Sequence, residues 1–137
     1  MKLKFITTAL IGLSLSFLGG SLVRSQSDSI TTRTVWTNPA GSQGSVRVTF
    51  FRESVDGKLG VYPDYYNGRL VGKYTDNGFE GYWVQDGGSI RCQKIIDGSP
   101  YYGRVRFENK PGTNDEFIGK WSYCDRSVSY DWVGKVE

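Results

Sequence analysis

The chain contains no histidine and only two cysteines among its 137 residues. Without histidine, nucleophilic catalysis by a histidine-assisted serine or cysteine is excluded. Without histidine, and with two cysteines alone, a zinc or copper site built from the usual ligands is not expected. No catalytic residue, metal or cofactor is therefore assigned. A carboxylate pair is the one catalytic device left, and it suits glycoside hydrolysis. Glu80, Asp86, Asp125 and Asp131 are the carboxylates nearest to aromatic clusters. Most acidic residues here sit beside turns or alternate with apolar positions, so solvated and turn-capping roles are the default. A small carboxylate-dependent hydrolase is the remote alternative.

Long hydrophobic runs are also scarce, and the single one lies at the front. Lys2 and Lys4 precede an uncharged stretch over residues 5–18, rich in leucine, isoleucine and phenylalanine. Fourteen residues suit the apolar region of a secretory signal and fall short of the ~20 needed to span a bilayer. Val23 and Ser25 suit the positions before a signal-peptidase cut, with Gly19 and Ser21 as the alternative pair. Residues 1–25 are thus expected to be a signal peptide and residues 26–137 a single exported domain, periplasmic or secreted. A retained membrane anchor is the competing reading. No later segment is apolar enough to cross a membrane.

The chain likewise has little net charge once that segment is set aside. Lysine and arginine number 17 against 14 acidic residues, but Lys2, Lys4 and Arg24 lie before the expected cut. The remainder is balanced at 14 against 14. A nucleic-acid or anionic-membrane binder shows an electrostatic footprint that is missing here.

Helical periodicity is absent outside the front segment. What is present instead is a rhythm of turn dipeptides: Asp56-Gly57, Asn67-Gly68, Asn77-Gly78, Gly87-Gly88, Asp97-Gly98 and Pro111-Gly112. They recur at steps of 11, 10, 10, 10 and 14 residues. Such pairs supply the positive φ angles of tight hairpins. Strands are predicted over 31–36, 45–51, 58–62, 69–75, 79–85, 90–95, 101–108, 116–123 and 129–136. Each is rich in β-branched and aromatic residues. Pro63 should break or bulge the third. The fold class is all-β, an antiparallel up-and-down meander of eight or nine short strands, closed or nearly closed into a small barrel. In the segment 101–108, alternation places Tyr101, Gly103, Val105 and Phe107 inward and Tyr102, Arg104, Arg106 and Glu108 outward.

A large-x-Gly-x-large unit recurs around Gly72, Gly81, Gly103, Gly119 and Gly134. First, third and fifth residues share a face, so each glycine leaves room for a neighbouring ring and lets the strand coil tightly. A ligand pocket floored by these glycines is the sharper alternative. The order of Gly81-Tyr82-Trp83-Val84-Gln85, Cys92, Tyr101-Tyr102-Gly103-Arg104, Phe117-x-Gly119-Lys120-Trp121-x-Tyr123-Cys124 and Trp132-x-Gly134 resembles a group of uncharacterised exported bacterial proteins, cyanobacterial ones among them. The resemblance covers roughly residues 68–136 and implies no activity. Avidin-like and lipocalin-like barrels are similar only in architecture. A lipocalin carries Gly-x-Trp in its first strand, whereas Trp36 here follows Thr34 and Val35.

Export would place Cys92 and Cys124 in an oxidising compartment, where a disulfide is expected rather than two free buried thiols. With Cys92 on the sixth predicted strand and Cys124 ending the eighth, the two would lie roughly 9–10 Å apart, beyond the ~7 Å a bridge allows. Either Cys124 lies past its strand end and curls back, or the order is not a pure meander. The loop-like Asp125-Arg126-Ser127 favours the first, with the bridge holding that loop over one barrel end.

Among the aromatics, Tyr66, Tyr82 and Tyr102 face outward by parity and are the candidate ligand-binding rings, since exposed rings on a rigid sheet make platforms for sugars or apolar groups. The bland reading is that they cover sheet surface. Arg91, Arg104, Arg106 and Lys120, interleaved with Glu80, Glu108 and Glu116, suit cross-strand charge pairing, with an anion site as the alternative. The expected function is a non-enzymatic binding module for a small apolar or glycan ligand. The alternative is a structural or interaction protein of the cell envelope with an envelope protein as partner.

Overall fold

The computed structural model describes residues 28–137. The expected signal peptide lies outside them. Eight strands follow in order: β1 Ser29–Thr37, β2 Gln43–Val55, β3 Lys58–Tyr62, β4 Gly68–Tyr74, β5 Gly78–Gln85, β6 Tyr101–Asn109, β7 Glu116–Trp121 and β8 Tyr130–Val136. Each pairs antiparallel with the next, and β8 returns to β1 through Thr32 opposite Val136 and Trp36 opposite Trp132. The result is a closed meander barrel without a free strand edge.

Four of the six turn dipeptides separate consecutive strands, and the other two, Gly87-Gly88 and Asp97-Gly98, mark one exception. Asp56 and Gly57, both at positive φ, form the two-residue hairpin between β2 and β3. β3 stops at Tyr62, immediately before Pro63. The exception is the predicted strand over 90–95, which is not a strand. It belongs to a fifteen-residue connection, 86–100, between β5 and β6. Asp97-Gly98 does make a tight turn, but inside that connection. There Ile96 and Ser99 exchange two backbone hydrogen bonds of 2.9 and 3.0 Å. A turn signal reports a local reversal, and the segments on either side need not join the main sheet.

Inward-facing residues divide the barrel into two unlike halves. At the end with the short hairpins, Phe50, Phe79, Phe107 and Phe117 are fully buried and meet edge-to-face or tilted, with centroids 4.8–6.2 Å apart. At the other end, where the connections 38–42, 63–67, 86–100 and 122–129 emerge, the inward residues are tryptophan and tyrosine. Glycines make room for both. The Phe117 ring lies over Gly134, Phe107 over Gly119 and the Trp83 indole over Gly103. Gly72 and Gly81 face each other across β4 and β5 for a different reason. A Cβ on either would fall 2.3 or 2.1 Å from the other strand's carbonyl oxygen. The two backbones approach too closely there for any side chain, which permits sharp coiling of a small barrel.

The connection 86–100 acts as a strap laid on the outside of β4, β5 and β6. It covers the outward row Arg69, Val84 and Tyr102 and forms a second apolar cluster from Val84, Tyr102 and Cys92, with Ile96 and Cys124 against it. Tyr102 faces outward, yet it is only 1% exposed, because the strap roofs it. This corrects its assignment to the solvent face.

The disulfide joins Cys92 to Cys124, with Cα atoms 5.5 Å apart. The spacing problem disappears because Cys92 is on the strap rather than on a strand. Cys124 lies past the end of β7 at positive φ and bridges Gly103 of β6 in parallel fashion. The pure meander is preserved.

Candidate functional site

The barrel end opposite the phenylalanines holds a half-open pocket of about 80 Å³. Eight of its thirteen lining residues are aromatic, and all four tryptophans of the chain are among them: Trp36, Trp83, Trp121 and Trp132. No charged residue lines it. Seven of the eight strands contribute, β4 being the exception. Trp36 lies near the end of β1, Tyr62 ends β3, Trp83 and Gln85 close β5, Trp121 ends β7 and Trp132 lies in the first half of β8. Gly88, Ser89 and Ile90 come from the strap, and Tyr123 comes from the segment that carries Cys124.

The walls are held by ring contacts and by hydrogen bonds made inside the protein. Trp121 is the hub, edge-on to Trp36 at 6.5 Å, to Trp83 at 5.9 Å and to Tyr123 at 5.0 Å. Trp132 and Tyr62 meet at 5.7 Å. The Trp83 indole N–H donates to the Ser122 carbonyl at 2.9 Å, Trp121 to that of Thr37 at 3.1 Å, and Trp132 to the buried Thr34 hydroxyl at 2.9 Å. Gln85 donates its amide to the Tyr62 hydroxyl at 3.0 Å. Burial raises the Tyr62 phenol well above its ordinary range, and burial beside Tyr66 and Tyr123 raises that of Tyr65. The pocket is therefore rigid and uncharged.

Of the three candidate rings, Tyr66 alone reaches this region. It is 54% exposed and stacks edge-on with Tyr65 at 5.0 Å, and Tyr65 touches Trp36 at 5.9 Å. Tyr66 also has φ of 52°, a left-handed conformation that costs a bulky residue roughly 1–2 kcal/mol. The strap holds it there, since Asp86 N–H donates to the Tyr66 carbonyl at 2.8 Å and the ring rests against Gly87. Tyr82 and Tyr102 lie elsewhere, on the outer wall. They pack edge-on at 5.6 Å and both donate to the Asp125 carboxylate at 3.0 Å.

The candidate carboxylates are scattered on the outside of the barrel. Asp125 takes the two tyrosine hydroxyls. Burial works against its charge, but those bonds and Lys94 outweigh burial and lower its pKa. Asp131 pairs with Lys120 at 2.5 Å, and Glu80 is cross-strand from Lys73 and Arg106. None lines the pocket. Arg106 and Lys120 also face one another in register, within a charge row that runs from Lys73 through Glu80 to Asp131. Arg104 sits beside that row on β6, whereas Arg91 is on the strap. Among the described residues, no group of three acidic or cysteine side chains is placed to hold a metal ion.

One residue central to the site was not singled out from the sequence. Arg69 is outward on β4, yet its side chain is only 6% exposed. Its guanidinium donates to Asp97 Oδ2 at 2.8 Å, to the Asp97 carbonyl at 2.7 Å, to Asp86 Oδ1 at 2.7 Å and to the Asn67 carbonyl at 3.0 Å. It thus ties both ends of the strap to the barrel wall. The bonds from Asn67 and Arg69 hold the Asp86 carboxyl below its usual range. The signal available was an arginine placed beside an Asn-Gly turn, with two aspartates at later turns. Spacing alone does not reveal that those turns converge.

Comparison with family models, curated proteins and solved structures finds no match to this chain.

Proposed function

We propose that this protein is a non-enzymatic binding module that holds one end of a small uncharged ligand in the aromatic mouth of its barrel. The observation that carries this reading is the concentration of all four tryptophans around one charge-free pocket, while the opposite end of the barrel is filled by phenylalanine. Large, rigid rings left lining an opening are the usual makings of a ligand site. The scattering of carboxylates on the outer wall supports binding over hydrolysis. The expected signal and the disulfide together support an exported module working in an oxidising compartment.

Titration of the protein's intrinsic tryptophan fluorescence with neutral aromatic compounds and with neutral sugars tests this. A saturable shift that Trp121→Ala abolishes is expected. No saturable change with any of them would refute the reading.

One observation favours an envelope interaction protein as the second reading. Val35, Val133 and Ile118 lie side by side on the outer face of β1, β8 and β7, and the latter two are exposed. If that row docks on a partner, replacing Ile118 and Val133 by serine should release the protein from the envelope fraction and leave the mouth unaffected.

A further inference from the structure

The pocket is small for a complete ligand. Its volume of about 80 Å³ is well under the ~300 Å³ at which ligand pockets begin, so it encloses a single ring or a branched chain end. Whatever is attached to that end must leave through the open side. On that side the aromatic surface continues. From Trp121 it runs through Trp36 and Tyr65 to Tyr66, with successive centroids 6.5, 5.9 and 5.0 Å apart.

Tyr66 is the least economical residue of this run. Its left-handed φ would suit glycine or asparagine, and its ring is more than half exposed, so burial does not repay the strain. The neighbouring Asn67 shares the left-handed conformation, but asparagine tolerates it. Strain held at a solvent-facing aromatic beside a pocket points to use of that ring rather than to folding.

The chemistry of the run selects the ligand. Three of the four indole N–H groups are already engaged inside the protein, and the one amide in the wall is bonded to Tyr62. A sugar ring seated in the pocket would bring several hydroxyls against walls whose surface is mostly apolar and whose few unpartnered polar groups cannot match them all. The groups with no protein partner among the described residues, the Trp36 indole N–H and the hydroxyls of Tyr65, Tyr101 and Tyr123, belong to rings where the connections emerge. A hydroxyl buried without a partner loses its bonds to water and gains nothing in exchange. An apolar group has no such loss.

We infer that the ligand is an elongated, uncharged, apolar molecule, with one ring-sized end in the tryptophan pocket and its length laid along Tyr65 and Tyr66. This rests on the reading of the mouth as a binding site and deepens it. Tyr66 is the specificity-determining residue for length.

The experiment compares toluene, which fills only the pocket, with diphenylhexatriene, a neutral rod long enough to reach Tyr66, and with cellobiose. Binding to the disulfide-bonded protein is read by indole N–H shifts in nuclear magnetic resonance for toluene and cellobiose, and by probe fluorescence for the rod. The parent protein should bind the rod at least tenfold more tightly than toluene, and cellobiose not at all. Tyr66→Gly should weaken the rod at least fivefold, leave toluene unchanged, and leave Tm unchanged or raised because the strained φ is relieved. Equal losses for rod and toluene, or a Tm lowered together with binding, would show that Tyr66 only supports the loop and would overturn the inference while the mouth reading stands. Tight binding of cellobiose would overturn the apolar class. If none of the three binds the parent protein, the mouth reading falls with it.

Discussion

Arg69 shows how one side chain can fix the arrangement of many. Its five donors are fixed in a fork, and four bonds from that fork reach two ends of the strap and the turn before β4. Arg69→Met should destabilise the fold by about 2 kcal/mol in denaturant unfolding, because the partner carboxylates can return to water while the strap loses its tie. Arg69→Lys should recover less than half of that, since an ammonium cannot reproduce the fork. The facing glycines make a second test at this scale. Gly81→Ala puts a methyl group 2.1 Å from the Val71 carbonyl oxygen, so β4 and β5 must part. A loss of about 2–4 kcal/mol is expected, measured by the shift of the unfolding midpoint. A loss below 0.5 kcal/mol would mean that the backbones are free to separate.

Among the elements, the strap has a double attachment: the Arg69 ion pairs at its two ends and the disulfide at its middle. Its 32-residue separation makes the disulfide worth roughly 3–4 kcal/mol in the chain-entropy model. Replacing both cysteines by serine should lower stability by that order. It should also open residues 86–100 to limited proteolysis before the barrel strands are cut. Cleavage appearing first in β6 would contradict the separate status of the strap. The same element marks the boundary of what the sequence discloses. Eight of the nine strands expected from the sequence are present, because turn dipeptides and period-2 alternation are local signals. The segment 90–95 reads as a strand because it lies at strand length between Gly87-Gly88 and Asp97-Gly98 and carries Ile90, Cys92 and Ile95. Only its partners, Tyr102 and Val84 on the far side of the sheet, reveal a different role. Tyr102 was assigned outward from alternation, and direction was right. Exposure was not, because alternation cannot see a covering loop. The mouth was legible as an excess of aromatics, without the convergence of four tryptophans from four strands.

For the whole molecule, the two kinds of chemistry are segregated, and their pH responses should separate. The pocket has no charged lining residue, and burial keeps Tyr62 and Tyr65 above the phenol range. Ligand affinity should therefore be flat from about pH 5 to 9. Stability should not be flat at the acid end. Asp86 and Asp125 have folded pKa values below the ordinary 3.8, so their contribution is present above that value and lost as pH falls through the lowered ones. A pH series of thermal unfolding should show a decline beginning below about pH 4, with the strap signals moving first. A decline near neutrality would require a group this description lacks. Closure of the barrel has one more consequence. Ser29 begins and Val136 ends the described strands at the phenylalanine-filled end, farthest from the tryptophans. Immobilised through the segment at Ser29 or at Val136, on a chip or on a larger carrier, the protein would stand with its tryptophan mouth pointing away from the support. A sensor built on it would need no reorientation.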